Sequence, residues 1–135
     1  MRELFIERLS WPEIEAAIRD GMTAAVICAA STEQHGPRLP EATDALLGAA
    51  YAEGLARRLG DALVAPVLRP ACSEHHTAFS GSLTIPPYLL MTCSTTTSAH
   101  CAGTGSSGSC SCPAMVATIQ CWSAGRPSGR TPTRQ

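Results

Sequence analysis

In the stretch STEQHGPRLPEATD, residues 31–44, Glu33, His35 and Asp44 carry side chains of types that ligate divalent ions. In an extended chain successive side chains alternate, so Glu33 and His35 fall on the same side. Asp44 follows nine residues after His35, where a helix is expected to start. One imidazole nitrogen and two carboxylates converging in a loop can hold an ion of the zinc or manganese type. An aspartate at that position can bridge two such ions, and ions about 3.5–4 Å apart activate a water and polarise an amide carbonyl together. Spacing alone favours a plainer reading, because E-x-H is a weak motif: a solvated loop pair, with Asp44 capping the helix beside Thr43.

A second polar cluster, CSEHHTAFSGSL at residues 72–83, holds Glu74, His75 and His76. Adjacent histidines are more often surface residues than ligands. Two such clusters on one edge of a sheet nevertheless bring acids and imidazoles together.

The elements that must position them follow from local rules. Ser10 with Glu13 three residues on, and Pro12 in the first turn, predicts a helix start, with Trp11, Ile14 and Ile18 on one face and Gly21 at its end. TAAVICAAS, residues 23–31, is a continuous apolar run, the pattern of a parallel strand buried on both faces. From Thr43 the repeat Leu47, Tyr51, Leu55, Leu59 predicts a second helix, with Arg57 and Arg58 in its last turn and Gly60 as its stop. ALVAPVL, residues 62–68, predicts the next buried strand. This order implies an α/β layered fold with a mostly parallel sheet, and the STEQH loop then lies at a strand's carboxyl end, where such folds bind ligands.

Composition breaks sharply near residue 90. All eleven acidic residues lie between Glu3 and Glu74, whereas residues 91–135 hold none, and contain sixteen Ser or Thr and five of the seven cysteines. The net charge of −1 gives no field to steer nucleic acid or bind a membrane surface. The N-terminus lacks an apolar run of secretory type and no segment approaches the roughly 20 apolar residues of a membrane span, so a cytoplasmic location is expected. Cys28 and Cys72 are then expected to be reduced, small and buried.

STEQHGPRLPEATD followed by SEHHTAFSGSLTI closely resembles the creatininase (creatinine amidohydrolase) family, whose usual patterns are S-T-E-Q-H-G-P-H-L-P-x-x-T-D and S-x-E-H-x-x-F-x-G-T-L. The resemblance spans roughly residues 10–90. It implies a layered α/β fold, hexamers in intact members, and metal-dependent hydrolysis of cyclic amides, formamides or peptide-like bonds. It places Glu33, His35 and Asp44 at metal-ligand positions, with Asp44 as the bridge and two ions in the intact fold. Glu74 and His75 match the second motif as pocket lining or as groups that orient the ligands. Arg38 stands where the family pattern has a histidine.

The family continues with an amphipathic helix, an apolar strand and a G-H-G-G-N loop whose histidine is a ligand, and an E-T-S segment supplies later groups. Residues 91–135 spell none of these. Shifted by one base, however, SSGSCSC at residues 106–112 becomes an almost unbroken aliphatic run, and AMVAT at 114–118 admits Gly-His-Gly-Gly-Asn. Its middle glycine is forced by Met115 and Val116, and Met115 stands where the family histidine would be. The expectation is a family-like part over residues 1–90, truncated after the second or third strand, and an out-of-frame, disordered, non-homologous tail over 91–135.

Functionally, the resemblance implies a metal-dependent amidohydrolase acting on a small-molecule or peptide-like amide, inactive in this form because later ligands are missing. The alternative is a non-catalytic fragment or weak metal binder with a Cys-rich tail. Cys110 and Cys112 are too close in sequence for a common zinc pair.

Overall fold

The computed structural model describes residues 2–101 and 116–121, the latter as backbone only. Helix α1, Trp11–Arg19, starts as expected: the Ser10 N–H donates to a Glu13 carboxylate oxygen at 2.8 Å, and the Ser10 hydroxyl donates to the same oxygen. It presents Ala17, Ile14 and Ile18 inward, while Trp11 stands in solvent at 76% exposure. Trp11 therefore leaves the face on which its spacing with Ile14 and Ile18 put it: the helix begins at that residue, and residues 11–13 of its first turn are all exposed.

Strand β1, Ala24–Ala30, is buried at every position, which is the burial its unbroken apolar run demands. Among the described residues it is the central strand of a three-stranded parallel sheet with order β2-β1-β3. Strand β2, Ala62–Val64, pairs Ala24 with Ala62, and β3, Val116–Cys121, pairs Ala25 with Val116. The expected strand over residues 62–68 is regular for only three residues. Pro66 has no N–H to give the ladder, and the pairing resumes beyond it at an isolated bridge between Ala29 and Leu68.

Helix α2, Thr43–Leu59, ends at Gly60, whose φ of +86° is open to glycine at little cost. The repeat of Leu47, Tyr51, Leu55 and Leu59 marked the helix correctly, but its packed face is the small one: Asp44, Ala45, Gly48, Ala52 and Ala56 are buried, and Leu47 and Tyr51 are exposed. Small side chains let the helix axis approach the sheet closely. A Cβ built at Gly48 would stand 2.7 Å from the Cys28 sulfur, so glycine there is a packing requirement.

Helix α3, Pro87–Cys101, and strand β3 place regular structure at residues 91–101 and 116–121, within the stretch expected to be a tail. The Thr92 and Thr95 hydroxyls donate to the carbonyls of Tyr88 and Met91 at 2.7 and 2.8 Å, so hydroxyl groups that favour turns are absorbed along the helix. None of the residues of α3 is buried, and its half-buried side, Leu90, Ser94, Thr97, Ser98 and Cys101, is largely polar where an amphipathic helix would carry an apolar stripe. The readings made on residues 102–115 and 122–135, including Met115, Cys110 and Cys112, lie outside the described residues. Among the described residues no helix is long and apolar enough to cross a membrane.

Candidate metal centre

The loop after β1 and the first turn of α2 bring Glu33, His35 and Asp44 together. Each offers one ligand atom, and these lie within 4.8 Å of one another. Glu33 follows directly on the bridge at Thr32, which ties this loop to Leu83, and its side chain is 1% exposed. Asp44 is buried because it sits on the small face of α2 that packs on the sheet. It is not the N-cap: Thr43 takes the pre-helical contact instead, its hydroxyl donating to the Pro40 carbonyl at 2.6 Å.

His35 is held at both ring nitrogens. Nδ1 lies 2.9 Å from the Glu33 carbonyl, which can only accept, so Nδ1 carries a hydrogen. Nε2 lies 3.1 Å from Asp44 Oδ1, also an acceptor. The Glu33 carbonyl, and behind it the Asp44 and Glu33 charges, raise the His35 pKa above its ordinary 6.5, against an opposing contribution from burial. The Nε2 lone pair and Asp44 Oδ1 thus aim at one point, which takes a proton or a cation. Asp44 Oδ2 is buried with no hydrogen-bond partner among the described residues, a cost that a second cation contact would remove. Two oxygens and one imidazole nitrogen are the donor chemistry of zinc and manganese, so the residues present fit such an ion.

The second cluster contributes unevenly. His75 and His76 form a further donor group with Glu33. His76 Nε2 lies 3.9 Å from Glu33 Oε1, and the two imidazole rings are 4.1 Å apart at a tilt. Both are carried on a short 3-10 turn, Glu74–His76, in which the His76 N–H donates to the Ser73 carbonyl at 2.9 Å. Glu74 is exposed and belongs to neither donor group. Its nearest electrostatic effect is on Cys72, whose thiol is pushed up first by burial and then by the Glu74 charge. Arg38 is exposed.

Gln34 is the residue that spacing did not single out. Its backbone N–H donates to the Ser82 hydroxyl at 3.3 Å, and its carboxamide spans Gly36 and His76, so it joins the two loops. The available signal was its place between two ligand-type residues, pointing away from their shared side.

A parallel α/β layer with carboxylates and imidazoles at the carboxyl end of its central strand defines the class, an α/β domain with a metal-type donor set. Residues 7–107 match the family Creatininase, creatinine amidohydrolase, and the chain belongs to that family. The match runs past the expected boundary at residue 90. The Mycofactocin precursor peptide peptidase of Mycolicibacterium smegmatis (strain ATCC 700084 / mc(2)155) is 42% identical over 60 residues, 41% of this chain and 24% of that protein. The solved structure named Creatininase Mn is 27% identical at a TM-score of 0.67, over 77% of this chain and 42% of its own. A mutant creatininase of Zn-Zn type is 26% identical at the same TM-score, over 78% and 42%. The chain therefore spans well under half the length of these relatives.

Proposed function

We propose that this chain carries the ion-holding half of a metal-dependent amidohydrolase, and that it does not turn over substrate by itself. The observation that carries the reading is the convergence of His35 Nε2 and Asp44 Oδ1 at 3.1 Å, with Asp44 Oδ2 buried and unpartnered among the described residues. Glu33, His35 and Asp44 would hold the divalent ion, zinc or manganese, and Asp44 has the second oxygen needed to bridge to another. When bound, such an ion supplies Lewis acidity to an amide carbonyl and lowers the pKa of a water. The protein's own part is orientation: the Glu33 carbonyl fixes the His35 ring, and α2 presents Asp44 in a site with little water, where charge interactions are strong.

The substrate class is an amide C–N bond in a small molecule or peptide. Relatives named for creatinine and for a precursor peptide support both. The proposed loss of turnover is supported by the donor count: among the described residues both donor groups come from residues 33–76, and residues 91–101 add none. The polar half-buried side of α3, Ser94, Thr97 and Ser98, supports the further proposal that the chain beyond Leu90 is out of the family's reading frame. Sequencing the gene across the Leu90 codon tests it, and a neighbouring frame without G-H-G-G-N overturns it. No described cysteine joins a donor group, so the Cys-rich alternative gains no support from Cys72, Cys93 or Cys101.

The test is metal analysis of the purified chain titrated with zinc and with manganese, followed by assays on creatinine and on a short peptide. Bound ion at one or more per chain with no hydrolysis above buffer is the expected result. Failure to bind either ion overturns the first half of the proposal, and measurable hydrolysis overturns the second.

A further inference from the structure

We propose that Gln34 is a positioning residue that holds His76 as an Nε2–H donor facing Glu33, and so keeps His76 out of the ion's coordination. The two donor groups share Glu33, and the lone pairs of the imidazoles decide which group an ion can use. The Gly36 N–H, which can only donate, donates to Gln34 Oε1 at 2.9 Å. This fixes the carboxamide, an orientation otherwise ambiguous between oxygen and nitrogen. Its NH2 end is then 3.1 Å from His76 Nδ1, and an NH2 only donates, so Nδ1 accepts. A neutral imidazole accepting at Nδ1 carries its hydrogen on Nε2, the atom 3.9 Å from Glu33 Oε1.

His35 is set the opposite way. Its Nδ1 donates to the Glu33 carbonyl, so its Nε2 lone pair faces Asp44 once the proton there is displaced. The imidazoles on either side of Glu33 are thus held in opposite tautomers, one as ligand and one as hydrogen-bond donor. Recruiting His76 would require a half-turn of the Gln34 carboxamide and loss of the Gly36 bond. The loop contacts oppose any larger shift, since the Leu83 N–H donates to the Thr32 carbonyl at 2.9 Å beside the Gln34–Ser82 contact.

The coordination half of this proposal rests on the metal reading above; the tautomer half does not. Nitrogen-15 NMR of the metal-free chain with labelled histidine, at pH about 8 where ordinary imidazoles are neutral, reads the tautomer directly. His76 is expected as Nε2–H by at least about fivefold, the bias of one net hydrogen bond. Gln34→Glu keeps the shape and replaces the donor by an acceptor, and is expected to invert that ratio; Gln34→Met is expected to bring it towards unity. On adding zinc, the His35 Nε2 signal shifts in the wild type and the His76 signal does not, whereas in Gln34→Glu both shift. A wild-type His76 found as Nδ1–H, or one whose Nε2 shifts with zinc, overturns the proposal. If zinc moves neither ring in the wild type, the metal reading has failed, and the metal-free spectrum still decides the role of Gln34.

Discussion

His35 Nε2 lies 3.1 Å from Asp44 Oδ1, and the other Asp44 oxygen is buried without a hydrogen-bond partner among the described residues. Adjacent ligand atoms around a tetrahedral zinc, with bonds of about 2.0–2.1 Å, stand about 3.3 Å apart, so the pair is already near ligand spacing. Asp44→Asn preserves the volume but replaces one oxygen by an NH2 that cannot ligate, and removes the charge. Zinc affinity is expected to fall by at least about 100-fold, beyond the 10–100-fold typical of groups that only orient ligands. Competition against a chelator of known affinity measures it. An unchanged affinity would remove Asp44 from the site.

His35 gives the site a pH dependence of two opposite signs. Its raised pKa means that, without metal, the stability from the charged ring is complete below the unfolded-state value and is lost as pH rises through the folded one. Metal affinity runs the other way, because the ion must displace the Nε2 proton. It should fall by about tenfold per pH unit below the raised pKa and level off above it. Thermal unfolding of the metal-free chain and zinc titrations across pH 5–9 check both limbs. His35→Asn should flatten each, and a metal affinity indifferent to pH would refute the assignment.

Much of this arrangement was legible in the sequence, and what was not has identifiable causes. The unbroken run at residues 24–30 specified a doubly buried strand because no solvated face interrupts it. For Glu33, His35 and Asp44 spacing alone favoured a solvated pair and a helix cap, and only the two motifs taken together pointed to one site; the structure brings their ligand atoms within 4.8 Å of one another. The packed face of α2 was misleading, since hydrophobicity points to Leu47 and Tyr51 while close approach to Cys28 selects Gly48, Ala52 and Ala56. Gln34 was hidden because its role depends on His76, 42 residues away in sequence, and on Gly36 fixing its carboxamide.

Burial separates β2 from α3 in a measurable way. Leu63 on β2 is 1% exposed, and Leu63→Ala should cost about 2–5 kcal/mol. Met91 on α3 is 66% exposed, and Met91→Ala should change stability by no more than about 0.5 kcal/mol. Urea unfolding of both variants makes the comparison. A large loss at Met91 would show that α3 is packed on something other than the described residues.

Gly48 and Asp44 stand one turn apart on the same buried face of α2, which couples packing to the site. A methyl group at position 48 would meet the Cys28 sulfur at 2.7 Å, closer than such atoms approach, so Gly48→Ala must turn the buried Cys28 side chain or lift the helix from β1. Overpacking of this kind costs about 1–3 kcal/mol, against a helix-propensity gain of about 1 kcal/mol. The net expectation is a loss of up to about 2 kcal/mol, accompanied by weaker zinc binding as Asp44 moves with the helix. Cys28→Ala removes the obstructing sulfur, and in that background Gly48→Ala should become neutral or stabilising, with zinc affinity restored. A double-mutant cycle read by urea unfolding and zinc titration separates this from a generic defect, since additive losses would mean that the two residues do not meet.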